Sequence, residues 1–129
     1  MAADVADTVA RLPELVNADA ALVRRGRFLT TRFLLELGEA SHLVEIDQGR
    51  VAAVERGPFL QRSWAFAVRA PEDAWRRFWS AEPPPGYHDI FAMAKRGAAR
   101  IEGDWHPLMA NLRYVKDVLA APRRLAGRS

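Results

Sequence analysis

The chain has no cysteine. That excludes disulfides, thiol nucleophiles and thiolate metal sites, and it fits a reducing cytoplasm, the expected location. Histidine is scarce as well, with His42, His88 and His106 the whole supply. No His-x-x-x-His pair or carboxylate-rich cluster accompanies them, and adjacent residues such as His88 and Asp89 do not face each other on a helix. Ser41, Ser63 and Ser80 lack the glycines of a nucleophile elbow, and no glycine-rich phosphate loop is present. No catalytic residue, metal or cofactor is therefore expected. Of 19 basic residues only Lys95 and Lys116 are lysine. The 16 acidic residues are interspersed with them and leave a net charge of +3. A nucleic-acid partner would call for concentrated positive charge, so none is expected. Apolar runs such as Phe33-Leu34-Leu35 fall far short of the ~20 residues that span a bilayer. The N-terminus carries Asp4 and Asp7 instead of the basic region of a secretory signal.

What is present is half hydrophobic and 27% charged, over 129 residues. One domain over 1–129 is expected, with a helical segment at 1–26 and an Arg-rich, frayed tail at 121–129. Val5, Val9, Leu12 and Val16 recur at helical spacing, with Asp4 or Asp7 as cap and Pro13 splitting the run into two helices. Strands follow at Phe28 to Leu37, His42 to Ile46, Arg50 to Glu55 and Arg62 to Val68. Asp47-Gln48-Gly49 makes a hairpin of the second and third. Pro71, Glu72 and Asp73 open a helix carrying Trp75, Phe78 and Trp79. After the stiff Pro83-Pro84-Pro85-Gly86 connector, Tyr87, Ile90, Phe91 and Ala94 mark another helix that Gly97 ends.

The stretch Gly97 to Leu119 is the most informative. Ala99, Ile101 and Gly103 alternate with Arg100 and Glu102 as in a half-buried strand. Gly103 is expected at positive φ, and Asp104 is expected to cap the final helix through the His106 N–H, since Pro107 has none. That helix places Trp105, Leu108, Met109, Leu112, Val115 and Leu119 on one face. The whole order predicts an α+β fold, one largely antiparallel sheet with helices on one face.

The chain resembles the sterol carrier protein 2 family of lipid-binding domains over roughly Arg32 to Leu119. The resemblance rests on three pieces: the Leu43-Val44-Glu45-Ile46-Asp47-Gln48-Gly49-Arg50-Val51 hairpin; Trp64 to Val68 running into Ala70-Pro71-Glu72-Asp73-Ala74-Trp75; and Gly97 followed by Ala99-Arg100-Ile101-Glu102-Gly103-Asp104. It implies five strands in the order 3-2-1-4-5, helices on one face, and an apolar tunnel for a sterol, fatty-acyl or isoprenoid ligand. It also implies a carrier or accessory role without side-chain catalysis.

Trp75, Phe78, Trp79, Ile90, Phe91, Met93, Met109 and Leu112 are the candidate ligand-binding residues, because large soft side chains suit an adaptable apolar wall. Any single one of them would serve as an ordinary core residue; with the resemblance added, the set as a whole reads as a pocket. Arg76-Arg77, Arg123-Arg124, Arg113 and Lys116 either meet anionic headgroups of a membrane or form a solvated face. Two functions therefore stand: a lipid-binding carrier with an open cavity, whose partner is an apolar lipid-like small molecule, and a filled-core domain acting as an interaction partner or accessory subunit of an enzyme.

Overall fold

Alternation in β1 (Thr31–Leu37) sends Phe33, Leu35 and Leu37 to one side of the strand and Arg32, Leu34 and Glu36 to the other, and this division organises the molecule. A computed structural model describes residues 5–126. Three short helices come first: α1 (Val5–Ala10), α2 (Leu12–Asn17) and α3 (Ala20–Arg25). After β1 come β2 (Ala40–Asp47), β3 (Arg50–Arg56), β4 (Phe66–Ala70), α4 (Glu72–Phe78), α5 (Ile90–Lys95) and β5 (Arg100–Gly103). The chain continues through α6 (His106–Ala110), α7 (Leu112–Ala120) and α8 (Arg123–Ala126).

The five strands form one sheet in the order β3-β2-β1-β4-β5, as expected. All neighbours are antiparallel except β1 and β4, which run parallel. Gln48 and Gly49 both have positive φ, 51° and 85°, the backbone of a two-residue hairpin turn whose twist matches its strands. One sheet face, with Phe33, Leu35, Leu37, Val44, Ile46, Val51, Phe66 and Val68, joins the helices in a single apolar core. The other face is tied by charge. Arg69 bridges Glu36 and Glu102, each at 2.5 Å. Residues 57–65 cross this face from β3 to β4, held by Arg62 on Glu55 at 2.7 Å and by the Ala65 N–H donating to the Arg32 carbonyl at 2.8 Å.

Several boundaries differ from the sequence reading. Phe28 lies outside β1 and is 85% exposed, because a turn closed by the Leu29 N–H on the Gly26 carbonyl precedes the strand. The fourth strand begins at Phe66, not Arg62, since its pairing with β1 begins at Phe33. The N-terminal segment makes three helices, not two. Pro13 sits in the first turn of α2, where a missing N–H costs nothing, and Asp19 caps α3 through the Leu22 N–H. Asp7 is exposed within α1, and Asp4 lies outside the described residues. Part of the tail is helical. Arg123 in α8 donates to the carbonyls of Phe78, Tyr87 and His88, at 2.7, 3.2 and 2.6 Å.

Gly103 has the expected positive φ, 101°. Asp104 accepts the expected bond from the His106 N–H at 2.9 Å, but from one residue before the cap position, which Trp105 occupies. The final helix is broken in two at Asn111 (φ −128°, ψ 35°). That break divides the predicted apolar face: Leu108, Val115 and Leu119 are buried, whereas Trp105 and Met109 point outward.

Candidate functional site

The helical layer over the sheet is built from α4, α5, α6 and α7 with the N-terminal helices beside them, and its wall is aromatic. Trp75 and Phe78, three residues apart on α4, meet edge to face at 5.7 Å. Trp79 stands beside both, at 5.1 and 6.1 Å. Each indole N–H is satisfied at a fixed backbone acceptor. Trp75 donates to the Glu36 carbonyl of β1 at 2.9 Å, and Trp79 donates to the Leu119 carbonyl of α7 at 2.8 Å. These two bonds orient a three-ring cluster between the sheet and α7.

Ile90 and Met93 complete the inner wall from α5, and both are buried. Five of the eight candidates, Trp75, Phe78, Trp79, Ile90 and Met93, thus lie within the core. The other three are placed differently. Phe91 and Leu112 are half-buried, and Met109 is half exposed. Trp105, from the start of the predicted apolar face, meets Phe91 edge to face at 5.9 Å and is 42% exposed. In this conformation Trp75 and Met93 expose none of their surface, so neither borders a space that water can enter. The open clefts lie elsewhere. One of about 710 Å³ sits at the sheet end among Gly38, Ser41, Arg56, Pro58 and Glu72. Another of about 380 Å³ lies beside Arg69 and Arg100.

Short segments hold this layer. α4 to α6 have seven, six and five residues, too few to be stable alone, so packing keeps them in place, with a side-chain cap on α5. The tether of α5 is Asp89, which accepts the Ala92 N–H at 2.8 Å and pairs with Lys116 of α7 at 3.3 Å. Partial burial works against its charge. The Ala92 N–H, the Lys116 ammonium and the Phe91 N–H outweigh that and hold its carboxyl below the ordinary range. A carboxylate lowered on folding stabilises above its unfolded value, about 3.9, and that stabilisation is lost as pH falls through the folded value. Asp89→Asn keeps the cap and removes the charge. The stability gap between wild type and this variant is expected to narrow as pH falls below about 3.9 and to close only below the folded value. Urea unfolding across that range measures it, and a pH-independent gap would contradict the assignment.

The basic pairs singled out in the sequence are engaged within the protein. Arg76 reaches Glu72 at 3.3 Å, Arg77 reaches Asp73 at 3.2 Å, and Arg124 reaches Asp19 at 3.2 Å. Arg113 is exposed, with no ion pair among the described residues. Nothing in the sequence singles out Tyr114. Its buried hydroxyl donates to the Gly49 carbonyl at 2.6 Å, and burial pushes its pKa up to about 12. Among the described residues no three His, Cys, Asp or Glu side chains could hold a metal ion together. Nor is any helix there long and apolar enough to cross a membrane.

A five-stranded sheet with one parallel pair and a layer of short helices on one face defines an α+β architecture, and comparison with solved structures assigns the chain the sterol carrier protein 2 fold. The crystal structure of sterol carrier protein 2 superposes with a TM-score of 0.71 at 10% identity, covering 91% of this chain and 94% of that one. A Thermus thermophilus protein described as possibly a sterol carrier protein gives 0.64 at 10% identity, with 100% and 94% covered. The ubiquinone synthesis protein UbiJ-SCP2 gives 0.56 at 16% identity, with 100% and 98% covered. No family model and no curated protein sequence matches the chain.

Proposed function

We propose that the protein is a non-catalytic lipid carrier that takes a sterol, fatty-acyl or isoprenoid-type ligand between the sheet and the helices α4 to α7. The observation that carries this reading is the fold itself, matched over nearly the full length of sterol carrier protein 2. The character of the helical layer supports it. Short helices held by packing can part at small cost, and Met93 with its flexible thioether suits a wall that reshapes around a guest. Trp75, Phe78, Trp79, Ile90 and Met93 form the wall in this reading, and Phe91, Met109 and Leu112 form its outer rim. The guest enters by separating the layer from the sheet. No catalytic, cofactor or metal role falls to any residue, and the cytoplasm is the place of action.

One observation favours a second reading. The wall is filled in this conformation, with Trp75 and Met93 wholly buried. A core that stays filled suits an accessory subunit, and one similar structure is a ubiquinone synthesis protein.

Titration of delipidated protein separates the two. Palmitate, a sterol or a long-chain quinone is expected to shift the emission of Trp75 and Trp79 and to raise the melting temperature. A ligand at 100 times its Kd adds about 2.7 kcal/mol. If all three ligand classes leave emission and melting unchanged, the filled-core reading replaces the carrier.

A further inference from the structure

The sheet has two edges, β3 and β5, and the chain treats them differently. The β3 edge is closed. Asn17 of α2 accepts the Val51 N–H at 2.9 Å and donates its amide to the Val51 carbonyl at 3.0 Å, so one side chain takes both peptide groups. Beside it Ile46 pairs with Val51 and Glu45 with Ala53, which leaves Ala52 as a bulge in the ladder. Blocked groups and bulges keep an edge from pairing with another chain.

The β5 edge has neither. Its ladder to β4 runs without a shift from Arg69 opposite Arg100 to Phe66 opposite Gly103. The Asp104 N–H donates to the Ala65 carbonyl at 2.7 Å, and in an antiparallel pair such rungs recur at every second residue. Glu102 and Arg100 therefore turn their peptide groups toward β4, and Ile101 turns its N–H and carbonyl outward. Among the described residues nothing outside the sheet hydrogen-bonds those two groups. Arg100, Glu102 and Gly103 are exposed, so the edge is open to solvent.

Its side chains complement a second copy of themselves. Arg100 stands directly opposite Arg69 in the ladder, an unfavourable pairing of like charges. Its one ion pair among the described residues is with Glu102 at 4.0 Å, and Arg69 already holds that carboxylate at 2.5 Å. An antiparallel copy with the twofold axis at Ile101 supplies what is missing. Arg100 then lies opposite Glu102 of the second copy, Glu102 lies opposite its Arg100, and the two Ile101 residues exchange both backbone bonds. An axis at Glu102 would instead set two carboxylates face to face, so charge selects the register.

The flank of the edge fits the same partner. α5 packs on β5, and its Phe91 meets the 42% exposed Trp105 edge to face at 5.9 Å. In the paired sheet both Ile101 side chains point to one face, so both helical layers lie on the same side. Trp105 stands four residues after Ile101 and Gly97 four before it. Each exposed indole is thus brought toward Gly97 of the other copy, where a Cβ position has no atom within 4 Å.

We propose that β5 is a dimerisation edge that joins two copies of this chain into one continuous sheet, with Ile101 on the axis and two Arg100–Glu102 pairs across it. The pairing stands whether the core opens to lipid or stays filled.

Sedimentation equilibrium over a range of concentrations tests it, beside amide hydrogen exchange of Ile101 by NMR. A four-residue edge with an aromatic flank is a small interface, so a weak dimer with a Kd of roughly 10–100 μM is expected. The outward Ile101 N–H should exchange fast in dilute wild type and slow as concentration rises, a readout that needs no variant. Arg100→Glu improves the match to Arg69 within the chain but sets two carboxylates against Glu102 of the other copy. It should weaken dimerisation by about tenfold or more, since symmetry reverses two pairs at once. Adding Glu102→Arg exchanges both charges and should restore the dimer and the protection of Ile101. Melting temperatures of both variants check that they fold. Wild type that stays monomeric at millimolar concentration would overturn the proposal. So would Arg100→Glu that dimerises like wild type, a folded double variant that stays monomeric, or a dimer whose Ile101 amide exchanges as fast as in the monomer.

Discussion

Gly49→Ala is expected to cost about 3–5 kcal/mol of stability, because strain at a positive φ and an unrelievable clash add together. Gly49 sits in the β2–β3 turn at φ +85°. A Cβ there would lie 2.2 Å from the Val23 carbonyl oxygen and 2.8 Å from the Gly26 carbonyl carbon. Both are backbone atoms at the end of α3, and neither can rotate away. The same turn is held from the other side by the Tyr114 hydroxyl on the Gly49 carbonyl. Any shift that relieves the clash therefore disturbs α7. Gly97→Ala is the control. It has nearly the same φ, +84°, but a Cβ would meet nothing within 4 Å. That variant should lose only the backbone strain, about 1–2 kcal/mol. Urea midpoints of the two variants beside wild type measure the difference. Equal losses would mean that the hairpin does not lie against the end of α3.

The Gly49 turn also shows what a sequence can tell. Asp47-Gln48-Gly49 between two alternating runs announces a hairpin, and residues on either side of so short a turn can pair only one way. That the turn rests on α3 and Tyr114 is not legible, because the contact joins residues 65 apart in the chain. The start of β4 was blurred for a related reason. Ser63 to Phe66 alternates small and large side chains as a strand does, yet the strand begins only where β1 offers a partner, at Phe33. Pairing between β1 and β4 is parallel and follows a long crossover, so no local pattern specifies it. The strand order came from the family resemblance, not from periodicity.

The candidate site was legible by residue type and less so by direction. Trp75, Phe78 and Ile90 are buried where helical spacing places them, whereas on α5 Met93 is buried and the expected Phe91 and Ala94 are only half-buried. Met109 and Trp105 fit the same spacing and point outward, because Asn111 breaks the helix between them and Val115. Asparagine inside an amphipathic run costs a helix little on propensity alone, so the break has no strong local signal. Likewise Arg76, Arg77 and Arg124 read either as headgroup contacts or as a solvated face; Glu72 and Asp73 stand at i,i+4 spacing from the first two, but the Asp19 partner of Arg124 becomes visible only in three dimensions.

Trp75→Ala carries the other large effect and also discriminates between the two functions. Trp75 is wholly buried, packs on Phe78 and Trp79, and donates its indole N–H to Glu36 of β1. Truncation removes the ring contacts and that hydrogen bond together and leaves a space in a layer of short helices. A buried tryptophan replaced by alanine costs about 3–5 kcal/mol. Against a typical total of about 5–15 kcal/mol, that leaves a marginal but measurable protein. Trp75→Phe should recover most of the loss, since it refills the space and gives up the N–H bond, typically about 0.5–1.5 kcal/mol. An apolar cavity made this way stays dry and accepts apolar guests. A medium-chain fatty acid is therefore expected to raise the melting temperature of Trp75→Ala on either view of the function. Wild type decides between them. If the same ligand stabilises wild type as well, the layer opens around a guest without engineering, as a carrier requires. If it stabilises only the alanine variant, the native core is closed to lipid, and the domain serves as an accessory subunit with a filled interior.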